Sequence, residues 1–119
     1  MKRDLDLVRK ILLEMEKYPE PTLGVEVDIE GYSKGEIHFH LMLMDEAGLI
    51  EVSNVSSLSD IYYLPQRITW NGYEFLEAAK DDTRWNKAKS IMHKTGGMLF
   101  DVLKEILKSL ITQELALID

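Results

Sequence analysis

Apolar residues along this chain recur first at helical spacing and then in alternation. Leu5, Val8, Leu12 and Met15, widened by Leu7 and Ile11, mark one face of a helix over about Leu5 to Lys17, with Asp4 as its N-cap. Tyr18-Pro19-Glu20-Pro21 ends it, because proline lacks an amide hydrogen and clashes inside a helix. From Thr22 to Gly31, Val25, Val27 and Ile29 alternate with Glu26, Asp28 and Glu30. That is the period of a half-exposed strand, here with an acidic outer face. The second helix has the clearest start signal. Ser33 and Glu36 form a capping box, and Tyr32 and Ile37 stand at the positions of a hydrophobic staple. Ile37, Leu41, Met44 and Ala47 then share a face flanked by Phe39 and Leu43, and Gly48 suits the left-handed residue that ends a helix.

Leu49-Ile50-Glu51-Val52 reads as a strand, and Val55 to Ser59 as a polar, serine-rich connection. A second strand centres on Gln66-Arg67-Ile68-Thr69, after Tyr62, Tyr63 and Pro65, so the two make a β-hairpin with a longish tip. Thr69 caps a helix through Tyr73, Leu76 and Ala79. The next helix starts near Asp82 or Thr83 and carries Trp85, Ala88 and Met92 until Gly96-Gly97 breaks it. The last spans about Leu99 to Leu115. Its Leu99, Leu103, Ile106 and Leu110 follow a 4-3-4 spacing, reinforced by Phe100, Val102, Leu107 and Ile111. This order predicts an α+β, mostly helical chain: a winged-helix-like core with a β-hairpin wing and a C-terminal helical extension. Residues 1–95 form the winged-helix-like domain, and 96–119 the helix that packs on that domain or on a second copy.

Composition narrows the setting. With 119 residues and 45% apolar content, the chain can bury one proper core. It has no cysteine, so nothing points to an oxidising compartment. Asp4 and Asp6 follow the basic start Met1-Lys2-Arg3 directly, which argues against a secretory leader. No apolar run approaches the roughly 20 residues of a membrane span, and the expected location is the cytoplasm of the host cell. The net charge of -7 bears most on function, because a nucleic-acid binder usually meets phosphates with a basic surface. DNA as partner is disfavoured by that charge, though a local basic stripe suffices for it.

Several strings also resemble a known family. They are Met1-Lys2-Arg3-Asp4-Leu5-Asp6-Leu7-Val8-Arg9-Lys10-Ile11-Leu12, His40-Leu41 through Ile50, Ile68-Thr69-Trp70-Asn71-Gly72 and Asp81-Asp82-Thr83-Arg84-Trp85-Asn86-Lys87, with the Gly96-Gly97 break and Phe100-Asp101-Val102-Leu103-Lys104-Glu105. Together they are similar to the phage-associated family called domain of unknown function 2513. The resemblance implies occurrence in phages and mobile elements of bacteria. It carries no activity, cofactor or catalytic residue to transfer. In ordinary winged-helix DNA binders a short helix precedes the recognition helix. Here the acidic alternating segment Val25 to Glu30 takes that place.

The candidate sites follow from charge and spacing. The outer face of the presumed recognition helix carries Lys34, Gly35, His38, Met42 and Asp45, with few of the side chains that read bases. From Gly24 to Val52 there are seven acidic residues and one lysine. Glu26, Asp28, Glu30, His38, Met42 and Asp45 therefore form a candidate protein-interaction face. The basic concentration lies at Arg84, Lys87, Lys89 and Lys94, with Arg67 on the wing, and these are the candidate phosphate contacts. His38-x-His40 does not read as a metal pair, since residues two apart on a helix point about 200° apart and no third ligand clusters with them. Asp81-Asp82 reads as capping rather than catalysis. No nucleophile, base and oxyanion set appears, so the expected function is non-enzymatic, with no metal and no cofactor. Two functions stand: a winged-helix transcriptional or DNA-associated regulator of phage type, and a protein-interaction module docking its acidic face on a host or phage protein. A homodimer through Leu99, Leu103, Ile106 and Leu110 is a further expectation.

Overall fold

A computed structural model describes residues 1–18 and 26–118. Its elements are α1 (Leu5–Glu16), α2 (Lys34–Glu46), β1 (Ile50–Asn54), β2 (Tyr63–Ile68), α3 (Trp70–Ala79), α4 (Asp82–Lys94) and α5 (Phe100–Ala116). Among the described residues the fold is thus α+β and mostly helical, with one antiparallel hairpin of order β1-β2. The chain divides into two units, Met1–Tyr73 and Glu74–Asp119, and α3 runs through the boundary. That division falls inside α3, whereas the sequence pattern drew it at residue 95; α4 groups with α5.

In the first unit, local chemistry sets the helix ends. The Asp4 carboxylate caps α1, accepting from the N–H groups of Asp6 at 2.9 Å and Leu7 at 3.2 Å. Leu5, Leu7, Val8, Ile11, Leu12 and Met15 are all buried. The Ser33–Glu36 capping box starts α2, with both reciprocal hydrogen bonds at 3.1 Å. Gly48, at φ +75°, ends it in the left-handed region that suits glycine. His40 joins the two helices. Its Nε2 accepts the Asp4 backbone N–H at 2.8 Å and its Nδ1 donates to the Glu36 carbonyl at 2.8 Å, which fixes one tautomer. Tyr32 donates its hydroxyl to Asp4 at 3.1 Å, so the cap of α1 is itself held from the α2 side.

The hairpin pairs Ile50 with Ile68 and Glu51 with Arg67, then Val52 with Pro65 across a register shift. The shift leaves Gln66 unpaired and admits a proline, which has no ladder donor, within a strand. Gln66 instead hydrogen-bonds the Ser53 hydroxyl. At the far end Thr69 caps α3, its hydroxyl accepting the Gly72 N–H at 3.1 Å and donating to the Gly48 carbonyl.

Two expectations are corrected. Residues 26–29 form no strand, although Val27 is buried while Glu26, Asp28 and Glu30 are exposed. Alternation reports which side chains face the protein; a strand also needs a paired backbone. The expected strand residues Thr22 to Val25 lie outside the described residues. In the second unit, the buried residues of α5 are Leu103 and Leu107, while Leu99 is 65% exposed. The seam drawn through Leu99, Leu103, Ile106 and Leu110 is therefore not one exposed stripe: Leu103 belongs to the core with Trp85, Ala88 and Met92 of α4. Phe75 anchors that core, lying edge-on to Trp85 at 6.1 Å and tilted against Phe100 at 4.9 Å between ring centroids.

Candidate functional site

A concavity of the first unit lies against the outer face of α2. It is a groove of about 640 Å³, within the range of roughly 300–1,000 Å³ typical of ligand pockets. Lys34, Gly35, His38, Phe39 and Met42 of α2 form one wall. They recur at i, i+4 and i+8 spacing, which places them along one side of the helix. Ser59, Asp60, Ile61 and Tyr62, from the tip joining β1 to β2, form the other wall. Met1 reaches in over Gly35, where a Cβ would stand 3.4 Å from its Cε.

The tip is fastened to α2 through His38. The Tyr62 ring lies on the imidazole with centroids 4.2 Å apart and planes tilted by 36°. The Tyr63 backbone N–H donates to Nδ1 at 3.1 Å, so that nitrogen must be unprotonated. His38 is 6% exposed, and its burial lowers its pKa below the ordinary histidine value. The Tyr62 hydroxyl in turn bonds the Glu26 carboxylate, and Lys34 Nζ lies 3.5 Å from that carboxylate. These two donors hold the Glu26 carboxyl below its usual range, and Glu26 raises the Tyr62 phenol. The groove is thus apolar along Met1, Phe39, Met42, Ile61 and the Tyr62 ring, with Lys34 and Asp60 as its charged lining residues.

His38 therefore differs from the sequence reading, which put it on an open helix face. The hairpin tip covers it. Met42 is half-buried in the groove and Asp45 is exposed one turn on. Asp28 and Glu30 face a second, shallower concavity with Lys10 and Glu14 of α1 and its C-cap Lys17, so the candidate acidic face is shared between two hollows. His38 and His40 engage different partners, Tyr63 for one and Asp4 with Glu36 for the other. Asp81 caps α4 by accepting the Arg84 N–H at 2.8 Å, the role its position suggested.

The candidate phosphate contacts are occupied to different degrees. Arg67 binds Glu51 across the hairpin with two hydrogen bonds, at 2.9 and 2.6 Å. Arg84 binds Glu114 of α5 at 3.1 and 2.6 Å, and its third nitrogen donates to the Ala78 carbonyl in the last turn of α3 at 3.0 Å. Both guanidiniums are thus engaged by bidentate carboxylates. Lys87 and Lys94 are exposed on α4, and Lys89 is half-buried. Lys94 stands in the last turn, where a cation complements the helix dipole.

The groove residues Phe39, Asp60, Ile61 and Tyr62 escaped sequence reasoning. Their signal was weak: one apolar residue, Leu58, inside the serine-rich connection, and Ile61 just after it.

Among known proteins, the sequence matches the profile of a family described as hypothetical protein (DUF2513) over residues 2–98. It is similar to an uncharacterized protein of Haemophilus influenzae, 35% identical over 118 residues, spanning 98% of this chain and 100% of that one. No solved structure matches it. Among the described residues no helix is long and apolar enough to cross a membrane.

Proposed function

The chain belongs to the DUF2513 family, and we propose that it is a non-enzymatic protein-interaction module whose groove on α2 takes an apolar side chain flanked by a basic residue from a partner protein. One observation carries the reading. The helix face that a winged helix would present to a DNA groove is covered here by Tyr62 over His38, and what remains open is an apolar hollow. Apolar walls supply affinity and few polar groups supply orientation. Asp60 in the lining, on a chain of net charge -7, favours a cationic neighbour in the partner.

The test is selection from a library of random short peptides on the intact protein, with counter-selection on Met42→Glu. The expected result is a consensus pairing a large apolar residue with arginine or lysine, lost on the variant. No consensus, or peptides that bind Met42→Glu equally well, would overturn the proposal.

A second reading, a DNA-associated regulator of phage type, is favoured by the order α2, hairpin, α3 and by the exposed Lys87 and Lys94 of α4. Against it, Arg67 and Arg84 already hold carboxylates. Its test is titration with random duplex DNA at about 50 mM salt and upward, where phosphate contacts give a steep fall of affinity with salt. Binding with that slope, weakened by Lys87→Glu, would support it; no binding at low salt would remove it.

A further inference from the structure

The two tryptophans differ sharply in burial. Trp85 is 2% exposed, whereas Trp70, at the start of α3, is 79% exposed. Tyr73, three residues on, is 46% exposed, so the two rings project from the same side of one helical turn. The backbone that carries them is fixed. The Thr69 hydroxyl accepts the Gly72 N–H at 3.1 Å, and Gly72 lies so close to Leu49 that a Cβ there would meet its carbonyl oxygen. Burying an indole contributes more than burying most side chains, so an ordered turn that holds one in water forgoes a large contribution. Aromatic residues held on rigid backbone are the ones that dominate protein interfaces, because little entropy is lost when they are covered.

The element beside this turn is the end of α2. Thr69 donates its hydroxyl to the Gly48 carbonyl and its N–H to the Leu49 carbonyl at 3.0 Å, which fastens the start of α3 to the residues that close α2. Asp45, Glu46 and Ala47 are exposed there, and α2 has no basic residue in its last turn. Among the described residues no cation pairs with either carboxylate. The C-terminus of a helix is the negative end of its dipole, where carboxylates are disfavoured and a cation is stabilised. The end of α2 thus gathers negative charge beside two rings whose faces also attract cations. We propose that Trp70, Tyr73 and the Asp45 and Glu46 end of α2 form a docking surface for an arginine-bearing segment of a partner protein. It is separate from the groove, whose lining includes neither ring. A guanidinium can lie flat on the indole while its N–H groups bond a carboxylate, whereas an ammonium offers only a point charge. Charge selects this occupant. A nucleic acid would bring phosphates against the carboxylates, and a second copy would bring the same acidic surface, on a chain of net charge -7.

NMR of the labelled full chain at about 50 mM salt tests this with the capped peptide Gly-Arg-Gly-Arg-Gly and its lysine and norleucine counterparts. The arginine peptide should move the Trp70 indole resonance and the Glu46 and Tyr73 amides, saturating by about 10 mM, and leave the Trp85 indole in place. The lysine peptide should bind about two- to fivefold more weakly, the worth of an exposed cation–π contact, and the norleucine peptide should not bind. Trp70→Leu should erase the difference between arginine and lysine, and Asp45→Asn with Glu46→Gln should weaken both. All three residues are exposed, so these variants should melt as the wild type does, and the comparison of peptides needs no variant. No saturable shift with the arginine peptide, equal binding of arginine and lysine, or an arginine preference that survives Trp70→Leu would overturn the proposal. The groove reports separately: Met42→Glu should leave the arginine peptide bound, and loss of its binding there would also overturn a distinct surface.

Discussion

Replacing Gly72 with alanine sets two effects of opposite sign against each other at one atom. Gly72 lies in the first turn of α3, where an alanine gains up to about 1 kcal/mol of helix propensity. Its Cβ, however, would stand 2.0 Å from the Leu49 carbonyl oxygen, 3.0 Å from the carbonyl carbon and 2.7 Å from Ile68 Cγ2. The carbonyl cannot swing aside, because it accepts the Thr69 N–H at 3.0 Å. The start of α3 has to move instead, which strains the Thr69 cap over Gly72 and its bond to Gly48. Overpacking costs about 1–3 kcal/mol and a lost cap about 1 kcal/mol, so the net is a destabilisation of about 1–3 kcal/mol after the propensity gain. That corresponds to a fall in Tm of roughly 4–12 °C. Calorimetry of Gly72→Ala beside Gly97→Ala checks it, since a Cβ on Gly97 meets nothing within 4 Å. A Gly72→Ala chain that melts at or above the wild type would refute the reasoning.

Ser33→Ala removes one half of the α2 capping box and should lower stability by about 1 kcal/mol in urea unfolding, with Ser33→Asp largely restoring it. His38 has its folded pKa below the unfolded value, so its neutral form stabilises the fold. That contribution is complete above the unfolded pKa of about 6.5 and is lost as pH falls through it towards the folded value; the decline between neutral and mildly acid pH should shrink in His38→Gln, and an unchanged decline would count against it. Arg84→Met should destabilise the second unit by about 1 kcal/mol, the worth of the part-buried hydrogen bond to the Ala78 carbonyl, since the exposed ion pair with Glu114 is screened by water. Glu114 has a lowered folded pKa, so the pair's small share of the wild-type advantage over Arg84→Met is present above the usual carboxylate range and should fade as Glu114 protonates in acid.

What the sequence disclosed was chiefly local. The Ser33–Glu36 box, Gly48, the Asp4 and Asp81 caps and the Gly96 break each depend on residues within one turn, and each appears where its pattern put it. What stayed hidden depends on distant partners. Helical period sets His38 on the same side as Lys34 and Met42, but its burial comes from Tyr62 and Tyr63, the latter bonded to it from 25 residues away. The charge count around Arg84 could not disclose Glu114, 30 residues on. Likewise, Arg67 is matched to Glu51 by hairpin register, which a bulge at Gln66 sets. The wide apolar face of α5 left its phase open, and packing on α4 selects Leu103 and Leu107. Residues 26–30 show the converse case: alternation gave the inward side chain, Val27, without a strand to carry it.

The central claim, that the α2 face under the hairpin tip meets protein rather than DNA, is tested most directly by backbone NMR of the labelled chain. It is titrated once with a groove-selected peptide and once with random duplex DNA at about 50 mM salt. The account predicts that the peptide shifts resonances of Lys34, His38, Phe39, Met42 and Tyr62 and that the duplex leaves them in place. A duplex that moves those same resonances, with a peptide that does not, would contradict it.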